Sequence, residues 1–106
     1  MDKNILSLMA NLGKMFGNEL RIEILVYLLE NDEACVGRIV SDLGIRQSTV
    51  SNQLKILKLG RMVKTRKDGK KIFYSLSDSH ISNLLATLSE HAKEEVHERR
   101  SSPRSR

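Results

Sequence analysis

A chain of 106 residues, 40% hydrophobic and 29% charged, holds one small soluble domain whose core gains from dimerisation. Its net charge of +5 is uneven: residues 1–45 carry 4 basic and 7 acidic side chains, residues 46–76 carry 9 and 1, and residues 77–106 carry 5 and 5. No apolar run approaches the roughly 20 residues of a membrane span, and a basic leader or arginine-rich transit pattern is lacking, so a cytoplasmic protein with no membrane partner is expected.

In chain order, Ile5, Leu8, Met9, Leu12, Met15 and Phe16 recur at helical spacing, and Gly17 breaks the pattern. Asn18 offers an N-cap for a second helix, Glu19 to about Glu30, that buries Leu20, Ile24, Leu25 and Leu28. After the polar turn Asn31-Asp32-Glu33 a short helix runs from Val36 to Leu43 and stops at Gly44. A further helix, Gln47 to Leu59, follows almost at once, with Val50, Leu54 and Leu57 on one face and Ser48, Ser51, Asn52 and Lys55 on the other.

An apolar back with a small polar front suits a helix laid in the DNA major groove, because Gln and Asn pair base edges while Ser and Thr reach phosphates or base edges. Gln47, Ser48, Thr49, Ser51, Asn52 and Lys55 are therefore candidate DNA contacts. A solvated polar face is the plain alternative for such a helix taken alone. The next segment decides against it. Gly60 ends the helix, and two strands, Met62 to Lys67 and Lys70 to Leu76, flank an Asp68-Gly69 turn. The hairpin's tip cations Arg66, Lys67, Lys70 and Lys71 stand where a wing beside a reading helix meets phosphate. Ser77 or Asp78 then caps a last helix to about Glu98, with an apolar stripe of Ile81, Leu84, Leu85, Leu88 and Ala92. Residues 1–98 make the domain; residues 99–106 read as a disordered basic tail. The fold class is mainly α with a small β-hairpin.

Bordering that last stripe are Asp78, His80, His91 and Glu94. Two imidazoles and two carboxylates make a complete tetrahedral set for zinc, although cobalt, nickel and cadmium also accept such donors. Along one helix His80 and His91 lie about 16 Å apart, too far to share an ion, yet eleven residues return them to within about 20° of the same face. Two such helices packed antiparallel bring Asp78 and His80 of one against His91 and Glu94 of the other, which implies a homodimer with metal at its interface. The plain alternative makes Asp78 an N-cap, Glu94 a solvated charge and the histidines interface residues. His97, three residues after Glu94, reads as an exposed residue at a fraying helix end, with a further ligand as the alternative.

At this point the chain resembles the ArsR/SmtB family of bacterial metal-sensing winged-helix repressors, over about residues 5 to 98. The resemblance rests on Phe16-Gly17-Asn18-Glu19-Leu20-Arg21-Ile22-Glu23-Ile24-Leu25, on Glu33-Ala34-Cys35-Val36-Gly37, on Gln47-Ser48-Thr49-Val50-Ser51-Asn52-Gln53-Leu54, and on the four ligand positions of the last helix. It implies a winged helix-turn-helix that dimerises through its N- and C-terminal helices, binds operator double-stranded DNA without metal and releases it when zinc binds. The chain departs from the family twice. Members that sense soft metals carry a cysteine pair near the helix before the reading helix, whereas Cys35 stands alone and cannot build a thiolate cage. A small, buried or half-buried cysteine is expected there. Arg46 occupies the N-cap position of the reading helix where Ser is usual, so Gln47 or Ser48 takes over as cap or Arg46 donates to a phosphate.

Two other functions compete. A metal-independent regulator, or one answering thiol oxidation at Cys35, needs the same DNA surface without the four ligands. A metal-dependent hydrolase fits poorly, because four protein ligands close the site and leave no base or pocket for a substrate water.

Overall fold

The computed structural model describes residues 1–101, and α1 (Lys3–Met15) and α2 (Glu19–Asn31) open the chain. Asp2 accepts from the Asn4 N–H at 2.7 Å and Asn18 from the Arg21 N–H at 3.0 Å, so side-chain oxygens satisfy amides that the first helical turns leave unpaired. α3 (Val36–Leu43) and α4 (Gln47–Leu59) form the helix-turn-helix, joined by Gly44, Ile45 and Arg46. β1 (Val63–Asp68) and β2 (Lys71–Leu76) pair antiparallel from Val63↔Leu76 to Asp68↔Lys71, and α5 (Ser79–Ser101) closes the described chain. This is a winged helix-turn-helix.

The core sits where α2, α3 and α4 meet the hairpin and the start of α5. Ile24, Leu25, Ile39, Val50, Leu54, Leu57 and Met62 are wholly buried, with Leu28, Ala34, Ile81 and Leu85 around them. Apart from Ala34, each of these side chains contributes about 1.5 to 3 kcal/mol on leaving water. Tyr27 joins this core, which the periodicity of α2 did not reveal; its hydroxyl donates to Asp42 on α3 at 2.5 Å. The segment before α3 also pairs with the hairpin, as Ala34 and Tyr74 exchange two backbone hydrogen bonds of 3.0 and 2.9 Å.

α1 buries no side chain fully and meets this core only through Met15 at its end. Its Ile5, Leu6, Leu8, Met9 and Leu12 are 41 to 62% exposed, and on α5 Leu84, Leu88 and Val96 are 46 to 50% exposed. A groove of about 640 Å³ runs beside the α5 stripe, with Phe16, Ile22, Val26, Leu88 and Val96 in its lining. Among the described residues no helix is long and apolar enough to cross a membrane.

Two sequence expectations shift by a few residues, each for a physical reason. The hairpin turn is Gly69-Lys70, not Asp68-Gly69: Asp68 belongs to the ladder, and Gly69 takes φ +63 as first central residue, the type II′ pattern whose twist matches the strands. Gly60 ends α4 as expected, as the C-cap after Leu59, and the left-handed conformation falls one residue later on Arg61, φ +61, while the Met62 N–H reaches back to the Leu57 carbonyl at 2.9 Å. A Cβ at 60 would meet Met15 Sδ of α1 at 3.1 Å, a tight contact that the methionine side chain would have to yield to. Finally, α5 continues through Arg99 and Arg100 to Ser101, helped by an Arg99 to Glu95 hydrogen bond of 3.1 Å and by cations at a helix C-terminus. The rest of the expected tail lies outside the described residues.

Candidate nucleic-acid interface and histidine positions

The apolar back of α4 is wholly buried at Val50, Leu54 and Leu57, which turns Gln47, Ser48, Ser51, Asn52 and Lys55 outward and leaves Thr49 half-buried. Arg46 is the N-cap residue and its side chain makes no capping bond. The Thr49 N–H bonds the Arg46 carbonyl at 3.1 Å, and the Gln47 and Ser48 amides stand beside an exposed guanidinium, the arrangement in which a helix N-terminus receives phosphate.

Residues facing each other across an antiparallel ladder point to the same side. Lys67 thus shares one face with Ile72, while Arg66 shares the other with Phe73 and Lys71 with Asp68. Arg66 is not a free wing cation. Its guanidinium lies 4.8 Å above the Phe73 ring and grips Glu33 at 2.6 and 3.3 Å. The hydrogen bond from Arg66 holds the Glu33 carboxyl below its ordinary value. Lys67, Lys70 and Lys71 are exposed. Only the fold reveals this partnership, because Glu33 and Arg66 are far apart in sequence and neither sits in a local pairing pattern.

Cys35 is half-buried at the N-cap of α3, makes no side-chain capping bond, and lines an open groove with Arg38, Lys70, Lys71, Ile72 and Tyr74. The structure also holds a polar contact that sequence reasoning missed entirely. Arg21 on α2 donates to Gln53 of α4 and to carbonyls at the end of α1.

On α5 the four candidate ligands do not come together: Asp78 and His80 stand at its start, and His91 and Glu94 about three turns on. Asp78 caps the helix, its Oδ1 accepting from the Ile81 N–H at 3.1 Å, and His80 Nδ1 lies 3.7 Å from the same oxygen. His91 is eleven residues on; its Nε2 lies 3.3 Å from Oε2 of Glu95, a neighbour the sequence reading did not single out. Glu95 in turn holds Arg99, and Glu94 is exposed. The side chains of His80 and His91 are 88 and 71% exposed. Among the described residues of one chain no three His, Cys, Asp or Glu side chains gather to hold a metal ion. His97 lines the groove beside Val96.

Residues 18–65, from the N-cap of α2 into β1, match the family described as bacterial regulatory protein, arsR family. The chain is 37% identical over 70 residues to the transcriptional repressor SmtB homolog of Synechocystis, covering 66% of this chain and 53% of that protein, so it spans about half of that relative's length. It is 36% identical over 88 residues to the transcriptional activator HlyU of Vibrio cholerae, covering 83% of this chain and 80% of that one. Its structure is similar to the homodimeric winged helix-turn-helix DNA-binding domain of a Mycobacterium bovis regulator, with a TM-score of 0.80 and 29% identity over 89% of this chain and 88% of that one. The chain belongs to the ArsR family of bacterial regulatory proteins and is a DNA-binding transcriptional regulator, not an enzyme.

Proposed function

We propose that the chain is a zinc-responsive repressor, a cytoplasmic homodimer that holds operator DNA without metal and leaves it when zinc occupies sites shared between protomers. The observation that carries this reading is the separation of Asp78 and His80 from His91 and Glu94 along one helix whose apolar stripe is half uncovered. A second copy covering Leu84 and Leu88 supplies the missing half of each ligand set. The donors fit the ion: both rings are exposed, and two imidazole nitrogens with two carboxylate oxygens are a tetrahedral zinc set, one that cobalt, nickel or cadmium also enters. Bound zinc would supply a tie between Asp78 and His80 of one protomer and His91 and Glu94 of its partner.

The chain's own residues carry the rest. Gln47, Ser48, Ser51 and Asn52 present hydrogen-bonding groups to base edges, Thr49 and Lys55 flank them, and Lys67, Lys70 and Lys71 meet phosphates across the neighbouring groove. Arg66 braces the wing on Glu33 and serves DNA only in exchange for that ion pair. Ile81 and Leu85 of α5 share one core with Val50, Leu54 and Leu57 of α4, so a change in how two copies of α5 pack alters where the two reading helices stand. Coupling of this kind is reciprocal, and DNA weakens zinc by the factor that zinc weakens DNA. Titrating the purified dimer with each metal while following operator binding tests the reading. Release by zinc at one ion per shared site is expected, and DNA binding indifferent to every metal sinks it.

The half-buried Cys35 in its open groove favours one second reading, a thiol-responsive regulator. Cys35→Ser separates the two: a zinc-responsive repressor keeps metal-induced release in that variant, and a thiol-responsive one loses its response to oxidant.

A further inference from the structure

Arg61 holds a left-handed backbone that disfavours any side chain with a Cβ. Among the described non-glycine residues only Asp32 shares a positive φ, and aspartate tolerates it better than arginine. The turn is fixed from both sides, since Ser77 Oγ donates to the Arg61 carbonyl at 2.8 Å and the Ser77 N–H to the Met62 carbonyl at 3.0 Å. Those bonds use backbone atoms, and a glycine would keep them. Among the described residues no carboxylate pairs with the Arg61 guanidinium. It opens instead onto a groove of about 590 Å³ between α4 and β2, shared with Ser51, Lys55, Lys58 and Tyr74 and lined by no acid. Ser51, Lys55 and Lys58 follow one edge of α4 at helical spacing, and two of them belong to its reading face.

We propose that Arg61 is a phosphate anchor for DNA, held in a strained turn so that its guanidinium, with Lys58, extends the reading face of α4 along the nucleic-acid backbone. The inference rests on the DNA-binding reading and adds two contacts outside the reading-helix front and the wing. Nothing in the fold asks for a cation at 61; a phosphate does, and the planar guanidinium can meet it with two parallel hydrogen bonds. Strain at a position where the fold prefers glycine is then the consequence of a functional side chain.

The test sets stability against binding in Arg61→Gly, with Arg61→Asn as a variant that tolerates the backbone while lacking the charge. A random-sequence DNA duplex is the probe, followed by fluorescence anisotropy across a salt series. Arg61→Gly should melt about 4 °C higher than the parent because the strain is relieved. Both variants should bind the duplex roughly tenfold more weakly. The salt slope should flatten by about 0.9 for each protomer in contact. A parent that binds the duplex together with an Arg61→Gly variant that binds equally well overturns the anchor alone. An Arg61→Gly variant that melts lower overturns the strain argument. A parent that binds no duplex DNA overturns the DNA reading and the anchor with it.

Discussion

Arg21 donates to Gln53 Oε1 at 3.1 Å, and the same guanidinium reaches the Met15 and Lys14 carbonyls at 3.3 and 3.2 Å. Those carbonyls end α1; that of Lys14 also accepts from the Gly17 N–H at 3.1 Å, while that of Met15 has no further helical turn to satisfy it. One side chain of α2 therefore ties the unburied N-terminal helix to the DNA-reading helix. Arg21→Met should cost about 2 kcal/mol of unfolding free energy in urea, as charged hydrogen bonds do when removed. Operator affinity should fall with it, because Gln53 and the end of α1 lose a common support. Arg21→Lys should fall between, keeping the charge but not the fork. Parental stability and affinity in Arg21→Met would show that the tie is idle.

The Glu33–Arg66 pair makes a prediction in pH. Its hydrogen bond holds the Glu33 carboxyl below the ordinary value of 4.5, so the pair adds stability above that pH and loses it as pH falls through the lowered value. Glu33→Gln should flatten the acid limb of a stability-against-pH curve in that window. At neutral pH the same variant frees Arg66, and affinity for random-sequence DNA should rise with a steeper salt slope. An unchanged slope would place Arg66 away from phosphate in both states.

Tyr27 answers at the other end of the scale. Burial first, and then the hydrogen bond to Asp42, push its hydroxyl above 10.0. Its contribution is fully present below that pH and is lost as pH rises through the raised value. Tyr27→Phe should cost about 1 kcal/mol near neutrality, since it removes the hydroxyl's hydrogen bond and leaves Asp42 only its ion pair with Arg38. Its stability should also fall less steeply than the parent's in strongly alkaline solution. Equal alkaline slopes by denaturant titration would contradict the buried hydrogen bond.

The half-exposed stripe on α5 predicts the assembly. Leu84→Glu with Leu88→Glu should yield a folded monomer by sedimentation, because both side chains lie outside the core that Ile81 and Leu85 complete. A dimer that survives both changes would move the interface elsewhere.

Much of this was legible in the sequence because the signals were local. α3 and α4 match their expected bounds because Gly44 and the Val50, Leu54, Leu57 spacing mark them directly. The reading-helix face followed from the same period. Long-range partners were not legible: Glu33 for Arg66, Asp42 for Tyr27, and Gln53 for Arg21 join different elements, and no periodicity announces them. Gly60 was legible as the end of α4, but the left-handed turn that follows it on Arg61 was not, because arginine gives no local signal for that conformation. Of the ligand positions, the distance between His80 and His91 was readable from helical rise, while the place of Glu95 beside His91 required the helix itself.

The central claim is that each zinc site draws on both protomers, and mixed dimers test it most directly. His80→Ala and His91→Ala homodimers should each lose tight zinc binding at both sites. Mixing the two variants creates a heterodimer in which one site lacks both imidazoles and the other keeps its complete set. Chelator competition on that mixture should recover one tight zinc per heterodimer. No recovery in any mixture would mean that each site draws its histidines from a single chain, contradicting the shared site and the coupling built on it.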